Sequence, residues 1–117
     1  TILLAEDEPD LREMTRDMLV TLGYQVLPVG SAQQALELLQ DSNPFDLLLT
    51  DVVMPGSIGG FELASRIRQV HPGMPVIYTS GFTGYTPDEM GPVTAPLLQK
   101  PVHPRDLAAA LAAVLRD

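Results

Sequence analysis

The 117-residue chain contains no cysteine, which excludes disulfides, thiol catalysis and thiolate metal sites and is compatible with a reducing cytoplasm. No apolar run approaches the roughly 18 residues of a membrane span, and no signal-peptide pattern opens the chain. It therefore reads as soluble and cytoplasmic, without direct membrane contact. Low-complexity tracts and internal repeats are missing too, and no pair of histidines has the spacing of a zinc site. Basic residues are scarce: seven against fifteen acids, a formal net charge of -8. Gripping phosphates needs clustered Lys and Arg, so direct nucleic-acid binding is not expected. Six of the seven basic residues are Arg and one, Lys100, is Lys, although the two serve almost equally on a solvated surface.

What is present has the balance of an ordinary globular fold, 45% apolar and 19% charged, in a length that suits one compact domain over residues 1–117. The opening at Thr1, directly on a strand and without an initiator Met, points to a piece of a longer chain.

The hydrophobic period alternates between that of strands and that of helices. Ile2-Leu3-Leu4-Ala5 is a short unbroken apolar run, as a strand buried on both faces would be. After Glu6-Asp7-Glu8-Pro9-Asp10 the period becomes helical through Leu11, Met14, Met18, Leu19 and Leu22, with Pro9 at an early helical position and Gly23 as a stop. Met14, Met18 and Leu22 are expected in the core. A strand from Tyr24 to Val29 follows, then Gly30-Ser31 as turn and cap, and a helix carried by Ala32, Ala35, Leu36, Leu38 and Leu39. A third strand, Asp46 to Thr50, ends at Asp51. A Gly-rich loop, Gly56 to Gly60, leads into a helix from about Phe61 to Val70. Val76 to Ser80 and Leu97 to Lys100 read as the fourth and fifth strands, and Leu107, Leu111, Val114 and Leu115 mark a last, Ala-rich helix, a face open to a second copy of the chain in a homodimer. Between the last two strands only Thr86 to Glu89 looks like a helix start, cut by Pro92, so the fourth helix is short or irregular.

Strands alternating with helices predict a parallel sheet covered on both faces, with ligands at the carboxyl ends of the strands. Glu6, Asp7, Asp51, Ser80 and Lys100 all fall at such ends. Taken singly, each has an ordinary reading: Asp51 as a cap, Lys100 as a surface lysine, Ser80 as part of a turn. Glu8 and Asp10 are read as first-turn acids favoured by the helix dipole, and His71 and His103, each beside a proline, as solvent-facing loop residues. Three converging carboxylates, Glu6, Asp7 and Asp51, call for a hard cation, Mg²⁺ or Mn²⁺, with a backbone carbonyl of the Val52-Val53 segment, assigned to Val53, completing the oxygen shell. An ammonium and a hydroxyl beside the metal make a receptacle for phosphoryl oxygens, with Asp51 as nucleophile and an aspartyl phosphate as product.

These segments resemble the response-regulator receiver domains of two-component signalling: "LLAEDEPD" is similar to their acidic first loop, "LLLTDVVMPG" to their phosphoacceptor strand and turn, "VIYTSG" to their hydroxyl-bearing strand and "LLQKPV" to their Lys-Pro segment. The match runs over essentially the whole chain, and its details look most like receivers attached to hybrid histidine kinases. The resemblance implies a flavodoxin-like, doubly wound, five-stranded parallel sheet of order 2-1-3-4-5. It further implies phosphoryl transfer to Asp51 from the phosphohistidine of a histidine kinase or histidine phosphotransfer domain. Asp7 would bind Mg²⁺ directly and Glu6 through water, Ser80 and Lys100 would contact the phosphoryl oxygens, and the Lys100-Pro101 peptide would be cis. Such a domain catalyses only its own phosphorylation and dephosphorylation.

Three departures from the family pattern stand out. The acidic pair is Glu-Asp rather than Asp-Asp. Leu97 stands where an aromatic switch residue is usual, and Val53 cannot hydrogen-bond a hydrolytic water, which implies slow self-dephosphorylation. Two other readings are open to the same residues: a degenerate receiver acting as a constitutive interaction module, and a Mg-dependent phosphohydrolase. The phosphohydrolase signature needs a second Asp where this chain has Val53.

Overall fold

A computed structural model describes residues 1–40, 45–52, 59–80, 97–99 and 102–115. Its elements run β1 (Ile2–Ala5), α1 (Pro9–Thr21), β2 (Val26–Val29), α2 (Ala32–Gln40), β3 (Leu47–Asp51), α3 (Gly60–Val70), β4 (Val76–Ser80), β5 (Leu97–Gln99) and α4 (Pro104–Leu115). The five strands form one parallel sheet of order β2-β1-β3-β4-β5, as the resemblance implied. The short helix expected near Thr86–Glu89, and with it Val53, Lys100 and Pro101, falls outside the described residues.

The unbroken apolar runs become the central strands because both faces of the sheet are covered, so no position in β1 or β3 can be polar at low cost until the strand ends. Alternate residues divide between two cores. Leu3, Ala5, Leu48, Val76 and Tyr78 pack with Ala32 and Ala35 of α2 and Leu63, Ala64 and Ile67 of α3. Ile2, Leu4, Leu47, Leu49 and Ile77 pack with Leu19 of α1 and Leu107, Ala110 and Leu111 of α4. Pro28, which has no N–H to give to a ladder, sits in β2, an edge strand where one side of the backbone needs no partner.

Local signals in the sequence work as expected at several ends. Pro9 opens α1, Ser31 caps α2 by accepting the Gln34 N–H at 3.2 Å, and Gly23 follows α1 with φ 99°. Its N–H donates to Val20 O and that of Tyr24 to Leu19 O, both at 3.0 Å, closing the helix in a Schellman arrangement that a side chain at Gly23 would strain.

One expectation is corrected. Met14 and Leu22 are not core: they are 51% and 38% exposed, and Met18 is only partly buried. The buried stripe of α1 is narrow and centred on Leu19. Met14, five residues earlier, points about 140° away at 3.6 residues per turn, and Leu22 is already the C-cap.

Tyr78 is 1% exposed and meets Phe61 edge to face, ring centroids 4.7 Å apart. Burial pushes its phenol above the ordinary 10.0, partly opposed by the positive charge of Arg68. The unfolded chain therefore ionises first as pH rises, so stability present below pH ~10 is lost above it. The expected result is a tyrosine in the 295 nm absorbance titration that ionises late, absent from Tyr78→Phe, together with a falling melting temperature in the same alkaline window.

Candidate functional site

Register builds the site. Ala5 pairs with Thr50 and Asp51 with Thr79, which sets Glu6 beside Asp51 at the ends of β1 and β3, and Ser80 one residue beyond at the end of β4. Glu6, Asp51, Thr79 and Ser80 are 4%, 6%, 6% and 1% exposed, while Asp7 is half-buried. Carboxylate oxygens of Glu6, Asp7 and Asp51 all lie within 4.8 Å of one another. At an effective dielectric near 20, two unit charges that close repel by roughly 3 kcal/mol. Three such acids, two of them buried, are held together by the fold against that repulsion.

Several backbone groups around them are engaged. Glu6 N–H donates to Val29 O at 3.1 Å, the Glu8 N–H donates to Glu6 Oε2 at 3.1 Å, and Arg12 Nη1 donates to Glu6 O at 2.9 Å. Thr50 Oγ1 donates to Asp51 O at 3.0 Å, and Val52 N–H donates to Thr79 O at 2.9 Å. Val52 O accepts the Gly60 N–H at 2.8 Å. Among the described residues no buried side-chain polar atom lacks a hydrogen-bond partner.

Two glycines shape the rim. Gly59 and Gly60 begin α3 hard against β3: a Cβ on Gly59 would stand 2.8 Å from Val52 O, and one on Gly60 would collide with the Asp51 carbonyl oxygen. They read in the sequence as loop glycines, since pattern cannot tell a glycine needed for space from one needed for a turn. Thr79, read only as strand, proves to be Asp51's cross-strand neighbour, and Arg12, an unremarked helix residue, reaches the acidic loop. His71 and His103 are exposed, at the ends of α3 and α4, and Glu8 and Asp10 are exposed at the start of α1. Ser80 pairs with Gln99, the residue before Lys100 in the chain.

An all-oxygen, anionic donor set at the carboxyl edge of a parallel sheet fits a hard divalent cation that keeps several waters. A family model for the response regulator receiver domain matches residues 2–112. The chain belongs to that family, whose members are signalling domains rather than classical enzymes. It is 42% identical over 108 residues to the response regulator receiver protein CpdR of Brucella abortus, covering 91% of this chain and 88% of that protein. It is also 42% identical over 88 residues to the sensor protein TorS of Escherichia coli, covering 75% of this chain but 9% of that protein. The crystal structure of the response regulator TrrA from Thermotoga maritima in complex with Mg(2+)-BeF superposes with a TM-score of 0.86 at 27% identity, covering 97% of both chains.

Proposed function

We propose that Asp51 is the phosphoacceptor of this receiver domain and that Glu6 and Asp7, with Asp51, hold a Mg²⁺ ion beside it. The observation that carries this reading is the packing of the three carboxylates within 4.8 Å at adjoining strand ends, with Asp51 at the end of the central strand β3. A bound Mg²⁺ would neutralise charge on the carboxylates and on the incoming phosphoryl oxygens.

The chain's own residues supply the rest. A carboxylate oxygen of Asp51 forms the new P–O bond as the P–N bond of a phosphohistidine breaks, and the bonding pair leaves with the imidazole, which takes a proton. A carboxylate needs no general base for this attack. Ser80, at the end of β4, donates its hydroxyl to one phosphoryl oxygen, and Lys100 brings its ammonium to another. The Val53 carbonyl joins the oxygen shell; Val52 O, already bonded to Gly60 N–H, is the less available of the pair. The ensuing change in charge at the strand ends biases a conformational equilibrium and so alters a partner surface.

The phosphoryl donor is the phosphohistidine of a histidine kinase or phosphotransfer domain. The likeness to TorS supports a place among hybrid-kinase receivers, and that to CpdR, which this chain matches over most of its length, supports a receiver supplied by a separate protein. Either setting is cytoplasmic; no described helix is long and apolar enough to cross a membrane. Nothing in the comparisons favours a phosphohydrolase or a purely constitutive module.

Treatment with acetyl phosphate tests the assignment. With Mg²⁺ the intact mass rises by one phosphoryl group, and with chelator in place of the metal it does not. A metal-independent adduct would count against the acidic cluster as a metal site. Lys100→Arg is expected to slow uptake at least tenfold in a stopped time course, because a planar guanidinium cannot take the place of a compact ammonium. Wild-type kinetics there would remove Lys100 from the site.

A further inference from the structure

We propose that Arg12 is a positioning residue: from the second turn of α1 its guanidinium holds the bend at which Glu6 and Asp7 turn both their carboxylates toward Asp51. The proposal rests on the reading of these three acids as a divalent-cation site.

Successive residues of an extended chain send their side chains to opposite sides. Glu6 and Asp7 are successive, yet both place a carboxylate oxygen within 4.8 Å of one on Asp51. The chain must therefore leave the extended conformation here, and it bends at Asp7 and Glu8, directly after β1. Something has to fix that bend against the repulsion of the groups it gathers.

Arg12 is placed to do so. Helical side chains lean toward the N-terminus, and Arg12, whose own N–H donates to Glu8 O at 2.8 Å, reaches back to donate Nη1 to Glu6 O at 2.9 Å. The Glu6 carbonyl and the Asp7 N–H belong to one rigid plane, so fixing that carbonyl fixes where the chain enters Asp7. The other end of Glu6 is fixed to β2 through Val29 O. Across the sheet edge the guanidinium lies over Gly30, where a Cβ would stand 3.1 Å from Nη1 and 3.6 Å from Gln34 Oε1. Gln34 Oε1 itself accepts the Gly30 N–H at 2.7 Å. Gly30 does not have a left-handed φ, so its missing side chain leaves room for the guanidinium rather than permitting a turn. Arg12 thus ties the acidic loop to the start of α1 and lies against the turn before α2.

The readout is Mn²⁺ affinity of the unphosphorylated chain, from the free-ion electron paramagnetic resonance signal, with circular dichroism confirming the fold of each variant. Arg12→Met, which keeps the apolar stem and loses the donors, is expected to bind about tenfold more weakly, the scale found for groups that orient metal ligands. Arg12→Lys, keeping charge and one donor, should fall between, about threefold weaker. In acetyl phosphate reactions the half-saturating Mg²⁺ concentration should rise in parallel while the rate at saturating Mg²⁺ stays near wild type. Wild-type Mn²⁺ affinity in a folded Arg12→Met overturns the proposal, as does a lowered maximal rate with unchanged metal dependence. Should Arg12→Met fail to fold, wild-type affinity in Arg12→Lys overturns it. Asp7→Asn separates the two levels. If it too binds Mn²⁺ normally, the metal site itself is wrong; if it loses Mn²⁺ while the Arg12 variants do not, only the role of Arg12 falls.

Discussion

Asp51→Asn takes up no phosphate from acetyl phosphate under conditions that fully modify the wild type, a loss of at least a hundredfold in uptake rate by intact-mass measurement. The expectation follows from the chemistry of the attack: an amide oxygen is a poor nucleophile, and the substitution leaves no carboxylate at the end of β3. The substitution also removes one of three crowded charges. In metal-free buffer the variant should be the more stable form, by on the order of 1 kcal/mol once relaxation and ionic screening reduce the repulsion. Saturating Mg²⁺ should then raise the melting temperature of the wild type by more than that of the variant, because a ligand stabilises only the state that binds it. A phosphate adduct on Asp51→Asn would sink the assignment of Asp51, and equal stability of the two chains without metal would mean that crowding the three acids costs the fold nothing.

Gly60→Ala carries the largest expected effect on the fold itself. Alanine ordinarily favours a helix over glycine by about 1 kcal/mol, but a Cβ here would collide with the Asp51 carbonyl oxygen and approach Val52 Cα at 3.0 Å. Both obstacles are backbone, so neither can rotate away, and overpacking of that kind costs about 3 kcal/mol or more. The steric term wins. The expected result is a urea midpoint shifted to lower concentration with an unchanged slope, a melting temperature lower by roughly 10 °C, and slower phosphate uptake as the end of β3 shifts. Gly73→Ala is the control: nothing lies within 4 Å of its Cβ and its φ is not left-handed, so it should be neutral or stabilising by about 0.5 kcal/mol. Equal stability of the two variants would show that α3 can withdraw from β3 freely.

How much of this was legible in the sequence depends on what each residue's position is decided by. Leu47, Leu48 and Leu49 announce a doubly buried strand because burial on both faces is a local property of the run, and Asp51 is visible as the charge that ends it. The gathering of Glu6, Asp7, Asp51 and Ser80 at one edge is legible because strand ends in a parallel sheet meet there whatever the details. Met14 was misplaced because helical spacing gives the period of a stripe but not its centre, which is set by how α1 rests on the sheet. Gly60 and Arg12 were passed over for a related reason. Their importance comes from what lies across from them, Asp51 O and Glu6 O, and nothing in the neighbouring letters encodes a contact with a chain segment several residues away.

The strand order has a consequence for the order of assembly. β3, β4 and β5 are adjacent in the sheet and consecutive in the chain, but β1 reaches β3 only after the chain has passed through β2. Pairing β1 with β3 joins Ile2 to Leu47, a longer stretch of chain than separates Leu48 from Val76 or Tyr78 from Leu97, so closing that seam carries the largest loop entropy in the sheet. Glu6 and Asp7 on one side of the seam and Asp51 on the other meet only when it closes. The entropic and the electrostatic cost therefore fall on the same step, and divalent cation is expected to speed folding as well as to slow unfolding.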